Sequence, residues 1–156
     1  MHQELPEIER ELMLLGRHTA MASLRGDQPS DRLDRSAYTL LTRLRAQGPM
    51  SIGQLAEAFG LDTSTVNRQT AALLRADLAE RIPDPDGGLA RKLRVTTEGL
   101  RRLEQDRDWA IEGLSRVLAD WTDPEVAELS RVLARLNASI EATEGRPWPR
   151  GLRSHR

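Results

Sequence analysis

The sequence has no cysteine, a single lysine and only five aromatic residues (three Trp, one Tyr, one Phe) among its 156 positions. Without a thiol there is no disulfide framework, thiolate zinc or iron–sulfur site, Cys nucleophile or thiol-based redox sensor. So few aromatics mean that any core must be aliphatic, built from Leu, Val, Ile and Ala. No apolar run approaches the roughly 18–20 residues of a membrane span. The acidic opening (Glu4, Glu7, Glu9, Glu11) is unlike a signal peptide, so a soluble, cytoplasmic protein with no membrane partner is expected. At 38% hydrophobic and 30% charged residues, the chain is too apolar to be disordered throughout. Its length suits one domain, or a domain with an oligomerisation element.

Net charge is also nearly absent, at −1, which argues at first sight against a nucleic-acid partner. The sum hides blocks. Residues 43–102 carry ten basic against seven acidic side chains, +3, whereas residues 103–143 carry four against nine, −5. Residues 1–42 stand at −2 and the tail 144–156 at +3. A basic middle and tail between acidic segments is the pattern of a basic contact face on a separate scaffold.

Hydrophobic spacing predicts the elements. Leu5, Ile8, Leu12, Leu15 and Ala22 recur on one face of a helix over residues 5–24, stopped by Gly26 and Pro29. A second helix is predicted from about Asp34 to Gln47, stopped by Gly48-Pro49. After a short extended start at Met50 comes a brief helix with Leu55, Phe59 and Leu61 inward and Gly60 at its end. Asp62 or Thr63 then caps a further helix, TSTVNRQTAALLRA. Two short helices around a Gly turn, the second polar and basic at its start, make a helix-turn-helix signature.

Residues 79–83 and 90–95 suit strands, and DPDGG between them is turn chemistry, so a hairpin wing follows the helix-turn-helix. Thr96 or Thr97 caps a long helix expected to reach Trp121, and Asp123-Pro124 opens a last helix carrying Val126, Leu129, Val132, Leu133, Leu136 and Ile140. At ~1.5 Å per residue the long helix spans about 36 Å, too long to bury a full apolar stripe on a small domain. A second copy is the natural cover. The expected fold is therefore mainly α with a small β-hairpin wing: a winged helix-turn-helix over residues 31–96, a helical dimerisation region over 1–30 and 97–143, and a basic, mobile tail over 144–156 in which Trp148 is the candidate to dock.

These residues resemble the multiple-antibiotic-resistance regulator (MarR) family of winged-helix transcription factors over roughly residues 38–100. The resemblance rests on Leu55-Ala56 before Gly60-Leu61, on Ser64-Thr65-Val66-x-Arg68, and on Asp84-Pro85-Asp86 closing on Val95-Thr96-x-x-Gly99. The chain departs from the family pattern at Asn67, where Ser or Thr is usual, and at Asp77, where Gly is usual. It departs again at Gly88 and Leu89, where Arg often stands. Asp77 tolerates a left-handed turn at modest cost.

On the second helix of the motif, Ser64, Asn67, Arg68, Ala71 and Arg75 share one face, with Val66, Leu73 and Leu74 opposite. Arg68 suits a bidentate contact to guanine and Asn67 one to adenine; Thr63, Ser64, Thr65 and Gln69 are adaptable donors, and Arg75 continues the face. Arg91, Lys92 and Arg94 on the wing suit phosphate, and Arg43 and Arg45 lie where they could also reach the backbone. The family resemblance implies a homodimer that binds double-stranded DNA at a pseudo-palindromic operator and represses a promoter until a small aromatic or lipophilic effector binds. It further implies an effector pocket where the dimer helices meet the winged unit, with His18, Tyr38 and Trp109 as the candidates. No His pair has metal-ligand spacing, no catalytic constellation is present, and no cofactor is expected. The uncharged wing tip motivates an alternative: a winged-helix protein-interaction module without DNA binding.

Overall fold

The computed structural model describes residues 2–17 and 32–150. Its elements run α1 (Leu5–Arg17), α2 (Arg35–Gln47), α3 (Ile52–Phe59), α4 (Thr63–Arg75), β1 (Ala79–Ile82), β2 (Lys92–Val95), α5 (Thr97–Val117) and α6 (Asp123–Glu144). This is the expected mainly helical fold with a hairpin wing. Residues 18–24 of the predicted first helix lie outside the described residues.

Local chemistry sets the boundaries. Asp34 starts α2 by accepting a hydrogen bond from the Ala37 amide at 2.7 Å. At α3 the Ser51 side chain accepts from the Gln54 amide at 3.1 Å while the Gln54 side chain accepts from the Ser51 amide at 2.9 Å, a reciprocal capping box. Gly60, at φ 61°, closes α3 in the left-handed conformation and turns the chain into α4. After α4 the chain turns through Asp77, whose φ of 57° makes it the left-handed position expected of it.

The core gathers where α2, α3, α4 and the hairpin meet. Leu40, Leu41 and Leu44 of α2, Leu55 and Ala56 of α3, and Val66 and Leu73 of α4 are buried with Met50, Leu78, Ala79, Leu93 and Leu103. It is aliphatic, as the scarcity of aromatics requires; Tyr38 and Phe59 pack at its margin. Leu61, expected inward, is exposed beside the turn. The strands pair antiparallel with Ala79 opposite Val95 and Ile82 opposite Lys92. Met50 adds a bridge to Leu93 through bonds of 3.1 and 2.8 Å, tying the start of α3 to the wing. The ladder stops short of the predicted 79–83 and 90–95 because Pro83 has no amide hydrogen to extend it.

The Thr96-x-x-Gly99 segment welds α5 to this head. Thr96 accepts from the Gly99 amide at 3.0 Å and donates to the Asp77 carbonyl at 2.7 Å. A Cβ on Gly99 would sit 2.0 Å from the Leu78 carbonyl oxygen, so only glycine permits the approach. α5 ends at Val117 rather than Trp121, because Thr122 is committed to α6: its amide and hydroxyl both donate to the Glu125 carboxylate, at 2.7 and 2.8 Å. Beyond the head the helices bury almost nothing. No residue of α1 or α6 is buried, and Leu5, Ile8, Leu12, Ile111, Leu114, Val117, Val132, Leu133 and Ile140 are each 43–60% exposed except Leu133 at 41%.

Candidate nucleic-acid interface

Helix α4 lies on the core through Val66, Thr70 and Leu73. The buried Thr70 hydroxyl donates to the Val66 carbonyl at 2.8 Å, so this face leaves no polar group stranded. The opposite face carries Thr63, Ser64, Asn67, Arg68 and Arg75 in solvent, with Thr65 and Gln69 half-buried at its edges. All seven residues singled out on this helix therefore lie on or beside one accessible surface.

Asp62 organises its start. Its carboxylate caps no backbone amide; it accepts instead from the Thr65 hydroxyl at 3.0 Å and the Ser64 hydroxyl at 3.4 Å. Both hydroxyls are thereby held at the helix N-terminus, where a negative charge is favoured by the helix dipole. Arg68 and Arg75 form no ion pair among the described residues, whereas Arg94, Arg101 and Arg131 are each paired with a glutamate. Two guanidiniums without an internal acid partner among the described residues, about two helical turns apart, are left to meet an external anion.

The wing spends its charge unevenly. Asp84 shapes the turn: it accepts from the Asp86 amide at 2.9 Å, its carbonyl accepts from the Gly87 amide at 3.0 Å, and it pairs with Lys92 at 3.1 Å. The Asp86 amide and the Lys92 ammonium hold its carboxyl below the usual range. The Lys92 and Asp84 side chains are only 12% and 13% exposed, so the lysine is built into the wing. Arg94 forks onto Glu80 at 2.6 and 2.9 Å in solvent, and Arg91 donates to the Arg81 carbonyl at 3.4 Å. The tip carries Gly87, Gly88 and a fully exposed Leu89.

The two further arginines that could reach the DNA backbone have partners within the protein. Arg45 is ion-paired with Glu104 of α5. Arg43 is buried: its Nε donates to Gln47 at 2.9 Å, its NH1 to the Pro147 carbonyl at 3.3 Å, and its guanidinium lies 5.3 Å from the centroid of the Trp148 ring. Burial pushes the Arg43 guanidinium down from its ordinary pKa, against the opposing pull of Glu141. Sequence reading missed this role, because the partner is about a hundred residues away in a tail whose composition suggested mobility.

Of the effector candidates, His18 lies outside the described residues. Tyr38 sits at the core margin and its carbonyl accepts from the Thr42 hydroxyl at 2.7 Å. Trp109 is half-buried under the Arg32 guanidinium, 5.0 Å from its ring centroid. One helical turn back, the buried Asp106 accepts from the Leu33 amide at 3.2 Å. Tyr38 thus packs on the core of the head and Trp109, on α5, against Arg32, with different neighbours. Among the described residues no group of three or more His, Asp or Glu is placed to hold a metal ion, and no helix is long and apolar enough to cross a membrane.

Comparison with known proteins places this arrangement. The MarR family pattern matches residues 33–87. An uncharacterised helix-turn-helix-type transcriptional regulator of Bacillus subtilis, YxaD, is 33% identical over 114 residues, covering 73% of this chain and 80% of that protein. Among solved structures, a MarR family protein from Bacillus stearothermophilus is similar with a TM-score of 0.75 at 20% identity, over 90% of this chain and 98% of that one. The PcaV transcriptional regulator of Streptomyces coelicolor, solved with its natural ligand, gives 0.60 at 23% identity over 89% and 95%.

Proposed function

This chain belongs to the MarR family of transcriptional regulators, and on that premise we propose that it is a homodimeric, sequence-specific DNA-binding repressor. The observation that carries the reading is the exposed α4 face, with Arg68 and Arg75 outside any ion pair among the described residues. In this reading the N-terminal half of α4 enters the major groove. Arg68 addresses guanine, Asn67 adenine, and Thr63, Ser64, Thr65 and Gln69 adjacent bases or phosphates. Arg75, Arg91 and Arg94 take the backbone, while Lys92 acts mainly by holding the wing in shape against Asp84.

The exposed apolar faces of α1, α5 and α6 support dimerisation. Two heads then meet successive major grooves about 34–36 Å apart on a pseudo-palindromic site in cytoplasmic DNA. A small aromatic or lipophilic effector binding between head and scaffold, near Tyr38 and Trp109 with His18 as a further candidate, would release DNA if it favours one head spacing by ~1–3 kcal/mol.

The test is a salt titration of binding to duplex DNA taken from upstream of its own gene. Affinity should fall roughly 10³-fold between 50 and 200 mM salt if six or more phosphates are contacted. Salt-insensitive binding, or none, would favour the alternative that the uncharged wing tip suggests, a winged-helix protein-interaction module.

A further inference from the structure

The tail after α6 does not trail away from the protein. Gly145, at φ 67°, caps α6 in the left-handed conformation and turns the chain toward the head. Pro147-Trp148-Pro149 follows, a segment in which two of three residues have φ fixed by their rings. Trp148 lies 6.1 Å from Phe59, centroid to centroid, and also meets the buried Arg43, whose guanidinium is 5.3 Å from its ring centroid. The Arg146 guanidinium occupies the space a Cβ on Gly60 would need, 2.6–2.9 Å away, directly over the turn between α3 and α4. Glu141 braces the tail from behind: its carboxylate accepts from the Trp148 amide at 3.1 Å and from Arg150 at 2.7 Å.

We propose that residues 145–150 are a positioning strap that fixes the angle between α6 and the helix-turn-helix, and so the direction in which α4 is presented. A head joined to only one helix of its scaffold leaves the other free to swing. The first joint is made to the first half of α5, through the Thr96–Gly99 weld, the buried Leu103, and the Arg45–Glu104 and Leu33–Asp106 contacts. The strap is a second, made to the end of α6, and it grips α2 through Arg43 and the end of α3 through Phe59 and Gly60. α5 and α6 connect at their far ends through Leu118–Thr122, so head, α5 and α6 close a triangle whose corners cannot move independently. Trp148 supplies the grip, Arg43 and Phe59 the socket, and Glu141 the brace. The strap itself is a property of one protomer; its consequence for DNA rests on the function proposed above.

The absence of cysteine makes the test direct. Ala76→Cys at the end of α4 and Ser130→Cys on α6, spin-labelled and diluted with unlabelled protein, report the head-to-α6 distance within one protomer, whether or not the protein dimerises or binds DNA. The expected result is a single narrow distance distribution that broadens or shifts with Trp148→Ala and is largely restored with Trp148→Phe, while helix content stays constant. An unchanged distribution in Trp148→Ala overturns the strap. Duplex binding by the same variant should weaken by about ten-fold with an unaltered salt slope, since preorganisation is lost but phosphate contacts are not. A reduced slope would overturn the positioning role by showing that the tail contacts phosphate. If the unmodified protein binds no DNA, the function proposed above fails and the distance measurement still decides the strap.

Discussion

The head and the scaffold solve opposite problems with the same kind of side chain. In the head, residues 33–103 enclose an aliphatic cluster in which Leu41, Leu55 and Val66 have no exposed surface. In α1, the outer part of α5 and α6, Leu5, Ile8, Leu12, Ile111, Leu114, Val117, Val132, Leu133 and Ile140, at equally regular helical spacing, stay two-fifths to three-fifths exposed. Spacing makes a helix amphipathic, but only the tertiary neighbour decides whether the apolar face is satisfied. The head supplies its own neighbours within about seventy residues. The outer scaffold faces have none among the described residues, and a second copy would supply them.

Breaking that contrast gives the largest expected effect. Ile111→Glu places a charge on the proposed dimer face and should weaken self-association by about 3–4 kcal/mol, roughly 10²–10³-fold, by the penalty for an unpaired buried charge. Sedimentation should show monomers while circular dichroism shows an intact fold. The same leucine-to-alanine change in the two regions sharpens the point. Leu55→Ala should destabilise the head by about 2–5 kcal/mol at any protein concentration. Leu114→Ala should show a cost that grows with protein concentration, because its burial requires a partner. Thermal melts over a hundred-fold dilution series distinguish the two.

Arg68→Ala tests the exposed face of α4 rather than either apolar region. It should cost about 1–3 kcal/mol of DNA affinity in a gel-shift titration and leave the melting temperature within about a degree. Unchanged affinity would remove Arg68 from the interface.

The smallest effect concerns the joint between the regions. Arg150 and the Trp148 amide hold the Glu141 carboxyl at about 2, well below its ordinary 4.5. A depressed carboxylate contributes its stabilisation above the unfolded pKa and loses it as pH falls through the folded one. Strap docking, followed by the Trp148 indole resonance, should therefore weaken as pH drops from about 4.5 toward 2. Glu141→Gln should remove that step, and a step that persists in the variant would assign it to another group.

What could be read from the sequence was what is local. The Gly60 turn, the left-handed Asp77, the Thr96-x-x-Gly99 weld and the split of α4 into core and solvent faces all follow from residues within a few positions of one another. The pairing of Lys92 with Asp84 is not legible in the sequence, because it depends on how the hairpin turn folds back. Nor is the Arg43 socket legible there, because Trp148 and Pro147 complete it from across the whole length of the scaffold. The early end of α5 has the same origin: periodicity runs on to Trp121, but the Thr122–Glu125 capping box takes the chain for the next helix.

The exposed apolar faces of α1, α5 and α6 make the scaffold complete only in duplicate if a second copy covers them. Light scattering coupled to size-exclusion chromatography of the full chain at micromolar concentration tests it most directly. The predicted mass is about 35 kDa, twice the 17.5 kDa of one chain. A monodisperse species at 17.5 kDa would contradict it.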